Sequence, residues 1–169
     1  AYGLAGWSSD GQTAYIYDRY DIWAFDLGGK KPYMITNGYG RTHKIELRAL
    51  RLTQDDNPRW RTAYLSDKAQ FLTAFDETTK ENGFYTIDLV KKNADPKRVL
   101  MRPKTYRKVM ANEDLSQVIY TKEDYQNSPD LYINTLKMDQ ERRLTEINAQ
   151  QASYNWGTAE LVQWKTPKG

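Results

Sequence analysis

The sequence predicts an all-β fold, a partial β-propeller of about three four-stranded antiparallel sheets. Three observations lead there. Gly-, Pro- or Asp-containing turns interrupt the chain roughly every ten residues, which leaves no window for a helical stripe of useful length. The runs Ala14 to Tyr17 and Ile22 to Phe25 are apolar at consecutive positions, as in a sheet covered on both faces. The grammar also repeats. Asp10, Asp67 and Asp114 occupy the first turn of successive units, and Trp23, Tyr85 and Tyr132 the third strand. The Asp residues lie 57 and 47 positions apart, and the shorter interval matches the roughly 40–50 residues of a propeller blade.

Taken in order, the first unit, residues 1–58, opens with a short strand, Tyr2 to Trp7. The turn Ser8-Ser9-Asp10-Gly11 follows, with Gly where a positive φ is cheap and Asp where a side chain can bond the backbone. Strands Thr13 to Asp18 and Ile22 to Leu27 and a last run ending at Thr36 complete it. The passage from Asn37 to Pro58 reads as an insert, in which His43 to Leu52 alternates like a strand with one wet face. The second unit, residues 59–103, has expected strands at Arg61 to Leu65, Phe71 to Phe75, Phe84 to Leu89 and Arg98 to Met101. The third, residues 104–150, has them at Lys108 to Ala111, Val118 to Thr121, Leu131 to Ile133 and Arg143 to Thr145. Ile147 to Ala152 admits a turn or two of helix. In residues 151–169, Ala159 to Trp164 reads as a final strand and the remainder as a linker.

Composition excludes several chemistries. The 25 basic and 22 acidic residues are intermixed, whereas nucleic-acid binding needs a basic face or stripe. No apolar run approaches the roughly 18 residues of a spanning helix. The chain has no cysteine, which removes disulfides, thiol nucleophiles and Cys-based metal sites. His43 is the single histidine, with Arg41 and Lys44 nearby and no local carboxylate to orient it as the base of a triad. Gly6 to Gly11 only half matches a nucleophile elbow, because Asp10 stands where the second Gly belongs and a strand, not a helix, follows. The Asp-containing turns lack the spacing of a calcium loop, and paired Asp55-Asp56 and Glu123-Asp124 read as solvated. No catalytic, cofactor-binding or metal-ligating residue is therefore assigned. The connections between second and third strands are more informative. Loops at Arg19-Tyr20, Asp76 to Gly83 and Lys122 to Pro129 should emerge on one face, and the two long ones are charged. Lys80, Glu81, Glu123 and Tyr125 are the candidate contacts there for a substrate or a neighbouring domain.

The repeated W-S-x-D-G, D-I-W and L-T elements resemble the propeller repeats of prolyl oligopeptidase-type (S9) serine peptidases and of TolB-like proteins. The stretches Leu65 to Tyr85, Ser128 to Tyr132 with Arg143 to Thr145, and Tyr154 to Gly169 narrow this to bacterial S9 peptidases akin to dipeptidyl and acylaminoacyl peptidases. The last stretch looks like the junction where such propellers hand over to an α/β-hydrolase domain. The resemblance implies that the catalytic triad lies in that further domain and that Ala1 and Gly169 are cuts within a longer polypeptide. It also implies a periplasmic or other extracytoplasmic location. The expected role is a non-catalytic module that gates or positions oligopeptides and packs on the hydrolase domain, without cofactor. The alternative is a stand-alone TolB- or WD-like scaffold binding a protein partner. Three blades leave two apolar end faces, so self-association is expected. Ser66-Asp67-Lys68 and Glu113-Asp114-Leu115 lack the Gly of Asp10-Gly11 and should turn less tightly.

Overall fold

A computed structural model describes residues 2–52, 65, 69–89, 91 and 93–166. Among the described residues twelve strands form three four-stranded antiparallel sheets, so the fold is all-β and propeller-like. The first sheet runs β1 (Leu4–Trp7), β2 (Thr13–Tyr17), β3 (Ile22–Asp26) and β4 (Tyr33–Met34). The second runs β5 (Ile45–Ala49), β6 (Ala69–Asp76), β7 (Asn82–Asp88) and β8 (Lys97–Arg102). The third runs β9 (Thr105–Ala111), β10 (Gln117–Glu123), β11 (Asp130–Thr135) and β12 (Arg142–Arg143). Within each sheet the strands follow chain order. Trp23, Tyr85 and Tyr132 lie on the third strand of their sheets, as expected.

The sheets stack face to face with the second in the middle. One core lies between the first and second sheets and holds Tyr15, Ile22, Ala24, Leu47, Leu72 and Tyr85. The other lies between the second and third and holds Phe71, Phe84, Val109, Val118 and Tyr120. Successive residues of the middle sheet serve opposite cores, Phe71 one and Leu72 the other, Phe84 one and Tyr85 the other. That is why the central parts of β6 and β7 are apolar at consecutive positions: period-two alternation sends successive side chains into opposite cores. Ile22, Leu47, Leu72, Phe84, Val118 and Tyr120 are completely buried. Each such side chain contributes roughly 1.5–3 kcal/mol of apolar burial. The aromatic rings Phe71, Phe84, Tyr106, Tyr120 and Tyr132 touch in succession with centroids 5.2–6.1 Å apart, a run that links the middle sheet to the third.

Four expectations need correction. The strand read within an insert is instead the first strand of the second sheet, since Ile45 to Ala49 pairs along β6 from Asp76 to Leu72. Arg61 to Tyr64, read as that strand, fall outside the described residues. Leu65 is buried and its amide donates to the Trp7 carbonyl at 2.9 Å, which ties it to the first sheet's inner strand. His43 is not on a strand but ends a short helix, α1 (Tyr39–His43). Five residues are too few to show a 3.6-residue period, and this helix is held from afar: buried Asp21 accepts the Gly40 and Arg41 amides at 3.0 Å each. Ala159 to Trp164 forms no strand and lies exposed. Its alternation suits a strand, but no neighbouring strand is hydrogen-bonded to it. Ile147 to Ala152 overlaps a single 3₁₀ turn, Ala149–Ser153.

The turn without glycine is the fourth correction. The Gly11 amide reaches the Ser8 carbonyl at 2.9 Å, and the Leu115 amide reaches Asn112 at 3.1 Å. The third unit's turn thus closes with the same kind of hydrogen bond as the first unit's. The missing Gly is accommodated as backbone strain, with Leu115 at φ 58° beside Gly11 at 69°. Asp67 lies outside the described residues.

Candidate functional site: a rim of loops between second and third strands

Each second strand ends on an aspartate or is followed directly by one, and each aspartate builds the turn that follows. Asp18 accepts the amides of Tyr20 and Asp21 at 2.8 and 2.7 Å. Asp76 accepts those of Thr78 and Thr79 at 2.7 and 3.0 Å. Asp124 accepts those of Gln126 and Asn127 at 2.9 and 2.7 Å. The side chain replaces the carbonyl that would otherwise close the turn, so all three connections leave their sheets in the same way. Asp18, Asp76 and Asp124 recur at 58 and 48 residues, nearly the spacing of the first-turn aspartates. That periodicity was the signal by which the sequence could have shown them.

The first and second loops are tied directly. Glu77 accepts two bonds from Arg19, at 3.0 and 2.6 Å, and one from the Tyr20 hydroxyl at 2.8 Å. The Tyr20 bond and then the Arg19 bonds hold the Glu77 carboxyl below the usual carboxylate range. The Arg48 guanidinium adds a bond to the Arg19 carbonyl at 2.9 Å. These contacts join the first sheet to the second at the same end as the loops.

Between the second and third loops lies an open groove of about 560 Å³. Thr79, Lys80 and Asn82 line one side, and Asp124, Tyr125 and Gln126 the other. The turn between β8 and β9, Pro103 to Thr105, forms its floor, and the extended segment Thr158 to Leu161 borders it. Lys104 forms an ion pair with Asp124. Burial opposes the charged form of Asp124, but Lys104 and then the Asn127 and Gln126 bonds outweigh it and bring the pKa down to about 2.

Two of the four candidate residues meet in this groove, and two do not. Lys80 sits in the left-handed region at φ 63°, and its ammonium donates to the Glu77 carbonyl at 2.7 Å. Tyr125 faces it across the groove and is 63% exposed. Glu81 instead turns to Arg98 at 3.9 Å, and Glu123 to Arg107 at 3.0 Å. Sequence reasoning missed Lys104 and Glu77, because an ion pair to a residue 20 or 58 positions away leaves no local pattern. The groove is lined by two ammonium groups, two carboxylates (Asp124 and Glu160), a phenol ring and several amides.

His43 does not line the groove. Its ring stacks on Tyr39 at 4.0 Å, and its Nδ1 is 2.9 Å from the Tyr39 carbonyl oxygen. Among the described residues no group of three His, Asp or Glu side chains is placed to hold a metal ion. No helix among them is long and apolar enough to cross a membrane. No protein-family model matches this chain, and no curated protein matches it.

Proposed function

We propose that the chain is the non-catalytic propeller-like module of an S9-type serine peptidase, and that its loop rim positions oligopeptides against a hydrolase domain of the same polypeptide. The supporting observation is the rim itself. Three equivalent loops are built by equivalent aspartates, two are locked by Arg19, Tyr20 and Glu77, and the third is set apart by a groove. Rigid strands thus carry a polar, partly aromatic surface at one end of the stack, where a peptide or a partner domain can bind without disturbing either core. Lys80 and Lys104 suit a peptide carboxylate or carbonyl oxygens, and Tyr125 offers a ring for apolar contact.

The test uses the complete reading frame. A downstream G-x-S-x-G followed by Asp and His agrees with the proposal. In that protein Tyr125→Ala and Lys80→Glu should lower kcat/KM for oligopeptides while leaving hydrolysis of a small ester unchanged. A downstream stop codon or further sheet overturns it in favour of a scaffold that docks a protein partner. Equal loss on both substrates also overturns the positioning role.

A further inference from the structure

Asparagine or aspartate stands directly before glycine three times, at Asp10-Gly11, Asn37-Gly38 and Asn82-Gly83. Such pairs share one intrinsic reaction. The glycine amide nitrogen attacks the side-chain carbonyl carbon of the residue before it, because no Cβ stands in the way. The fold decides which pair is free to react.

Two are blocked. The Gly11 amide donates to the Ser8 carbonyl at 2.9 Å, and Asp10 accepts the Ser8 hydroxyl at 2.6 Å and the Gln12 amide at 2.9 Å. The Ser8 bond and then the Gln12 bond hold the Asp10 carboxyl below the usual range, and the resulting anion resists attack by nitrogen. Asn82-Gly83 opens β7, between two neighbouring strands. Gly83 is buried, pairs with Ala74 of β6 and Met101 of β8, and has the Leu100 carbonyl close against it. Ring closure there requires the chain to leave both ladders.

Asn37-Gly38 carries no such block. It links β4 to α1, and Asn37 is exposed. Both residues hold the left-handed region, at φ 54° and 72°, so no ladder on either side fixes them. Among the described residues none accepts a hydrogen bond from the Gly38 amide. The Asn37 side-chain amide donates to Asp95 Oδ1 at 2.9 Å, and Asp95 is exposed as well.

We propose that Asn37 is a self-modifying site, which deamidates through Gly38 and thereby loosens the start of α1. The Gly38 nitrogen bonds to Asn37 Cγ, the Cγ–Nδ2 bond breaks, and Nδ2 leaves as ammonia with the proton of the Gly38 amide. Water then opens the succinimide ring. Opening at Cγ gives aspartate, and opening at the main-chain carbonyl gives isoaspartate. Either product sets a carboxylate against Asp95 where a donor stood, so a tie between the first and second sheets becomes a repulsion. Isoaspartate also adds a methylene to the main chain just ahead of α1, whose Gly40 and Arg41 amides are held by buried Asp21. The inference does not depend on the peptidase reading.

The experiment is incubation of the full chain at pH 8, folded and in urea, with peptide mapping by mass spectrometry. Mass reports the exchange of NH2 for OH, and chromatography separates the isoaspartyl form. In the folded chain Asn37 should convert at least about tenfold faster than Asn82, the factor that about 1.4 kcal/mol of opening cost imposes. In urea the two should convert at similar rates, since only the shared Asn-Gly sequence then acts. An unmodified Asn37, or equal rates in the folded chain, overturns the proposal. So does a rate difference that is as large in urea, because the fold would then not select the site. Hydrogen exchange reads the consequence. The Gly40 and Arg41 amides should exchange faster in the converted chain, whereas Asn37→Gln, which retains an amide donor and disfavours the five-membered ring, should remain unmodified and protected. Unchanged exchange after conversion overturns the loosening of α1.

Discussion

Asp21 and Thr36 grip one another in the first sheet as Asp130 and Thr145 do in the third. The Thr36 hydroxyl donates to Asp21 Oδ1 at 2.7 Å, and the Thr145 hydroxyl to Asp130 Oδ1 at 2.8 Å. Each threonine oxygen in turn accepts the amide that follows its aspartate, from Ile22 at 3.1 Å and Leu131 at 2.9 Å. Each aspartate also takes amides from the chain leaving the sheet, Gly40 and Arg41 in one case and Ile147 in the other. The pair spans 15 residues both times. It closes the fourth strand onto the third and aims the chain as it leaves the sheet.

Replacing Thr36 by Val should therefore cost far more than a surface change. Asp21 and Thr36 are completely buried, and the substitution removes one donor and leaves the Ile22 amide without its acceptor. An orphaned buried polar group costs about 1–3 kcal/mol. Thr36→Ser retains the hydroxyl and should lose only about 1 kcal/mol, the value of one buried methyl-sized group. Urea midpoints of the two variants decide it, and equal losses would mean that the hydroxyl contributes nothing.

The middle sheet solves the same closure without a carboxylate. Counting back two residues from the aligned aromatics places Gly83 where Asp21 and Asp130 stand. A Cβ on Gly83 would lie 1.9 Å from the Leu100 carbonyl oxygen and 2.8 Å from Met101 Sδ. Gly83→Ala must push β7 and β8 apart, and overpacking of this kind costs about 1–3 kcal/mol or more. A melting temperature unchanged from wild type would show that β8 yields freely.

At Leu115 the prediction has the opposite sign. This exposed side chain holds a left-handed backbone that costs a non-glycine residue about 1–2 kcal/mol. Glycine relieves the strain but loses about 0.5–1 kcal/mol through unfolded-state entropy. Leu115→Gly should raise stability by about 0.5–1 kcal/mol in denaturant titration, and Leu115→Val should lower it.

The three-sheet plan was legible because turn chemistry and two-sided apolar strands are local properties. Trp23, Tyr85 and Tyr132 could be aligned on their third strands with no knowledge of packing. What escaped depends on distant partners. Ile45 to Ala49 reads as a strand but does not announce that it pairs with β6 across residues 50–68. Ala159 to Trp164 has the pattern and lacks the partner. Of the candidate site, Lys80 and Tyr125 were found because both occupy long charged loops. Glu81 and Glu123 were in those loops too, but arginines on neighbouring strands draw them aside. Lys104 joins the site through a partner 20 residues away in its own sheet, and Glu77 through a contact between sheets.

Acid should loosen the groove through Asp124. Its folded pKa is about 2 against an ordinary 3.8, so the folded form releases this proton more readily than the unfolded chain. The resulting stability is fully present above pH 3.8 and is lost as pH falls through the window down to about 2. Other carboxylates, among them Asp18 and Asp130, are also held low, so the whole protein weakens there. The Asp124 share is isolated by difference. Asp124→Asn retains an oxygen for the Gln126 and Asn127 amides but cannot pair with Lys104. It should be less stable than wild type at pH 6, and the gap should shrink toward pH 2. Unfolding free energies from urea titrations at pH 2, 3, 4 and 6 measure that gap. A gap that stays constant across the window would mean that the Lys104 pairing leaves the proton affinity of Asp124 unchanged, and the third loop would then be held by its amide bonds alone.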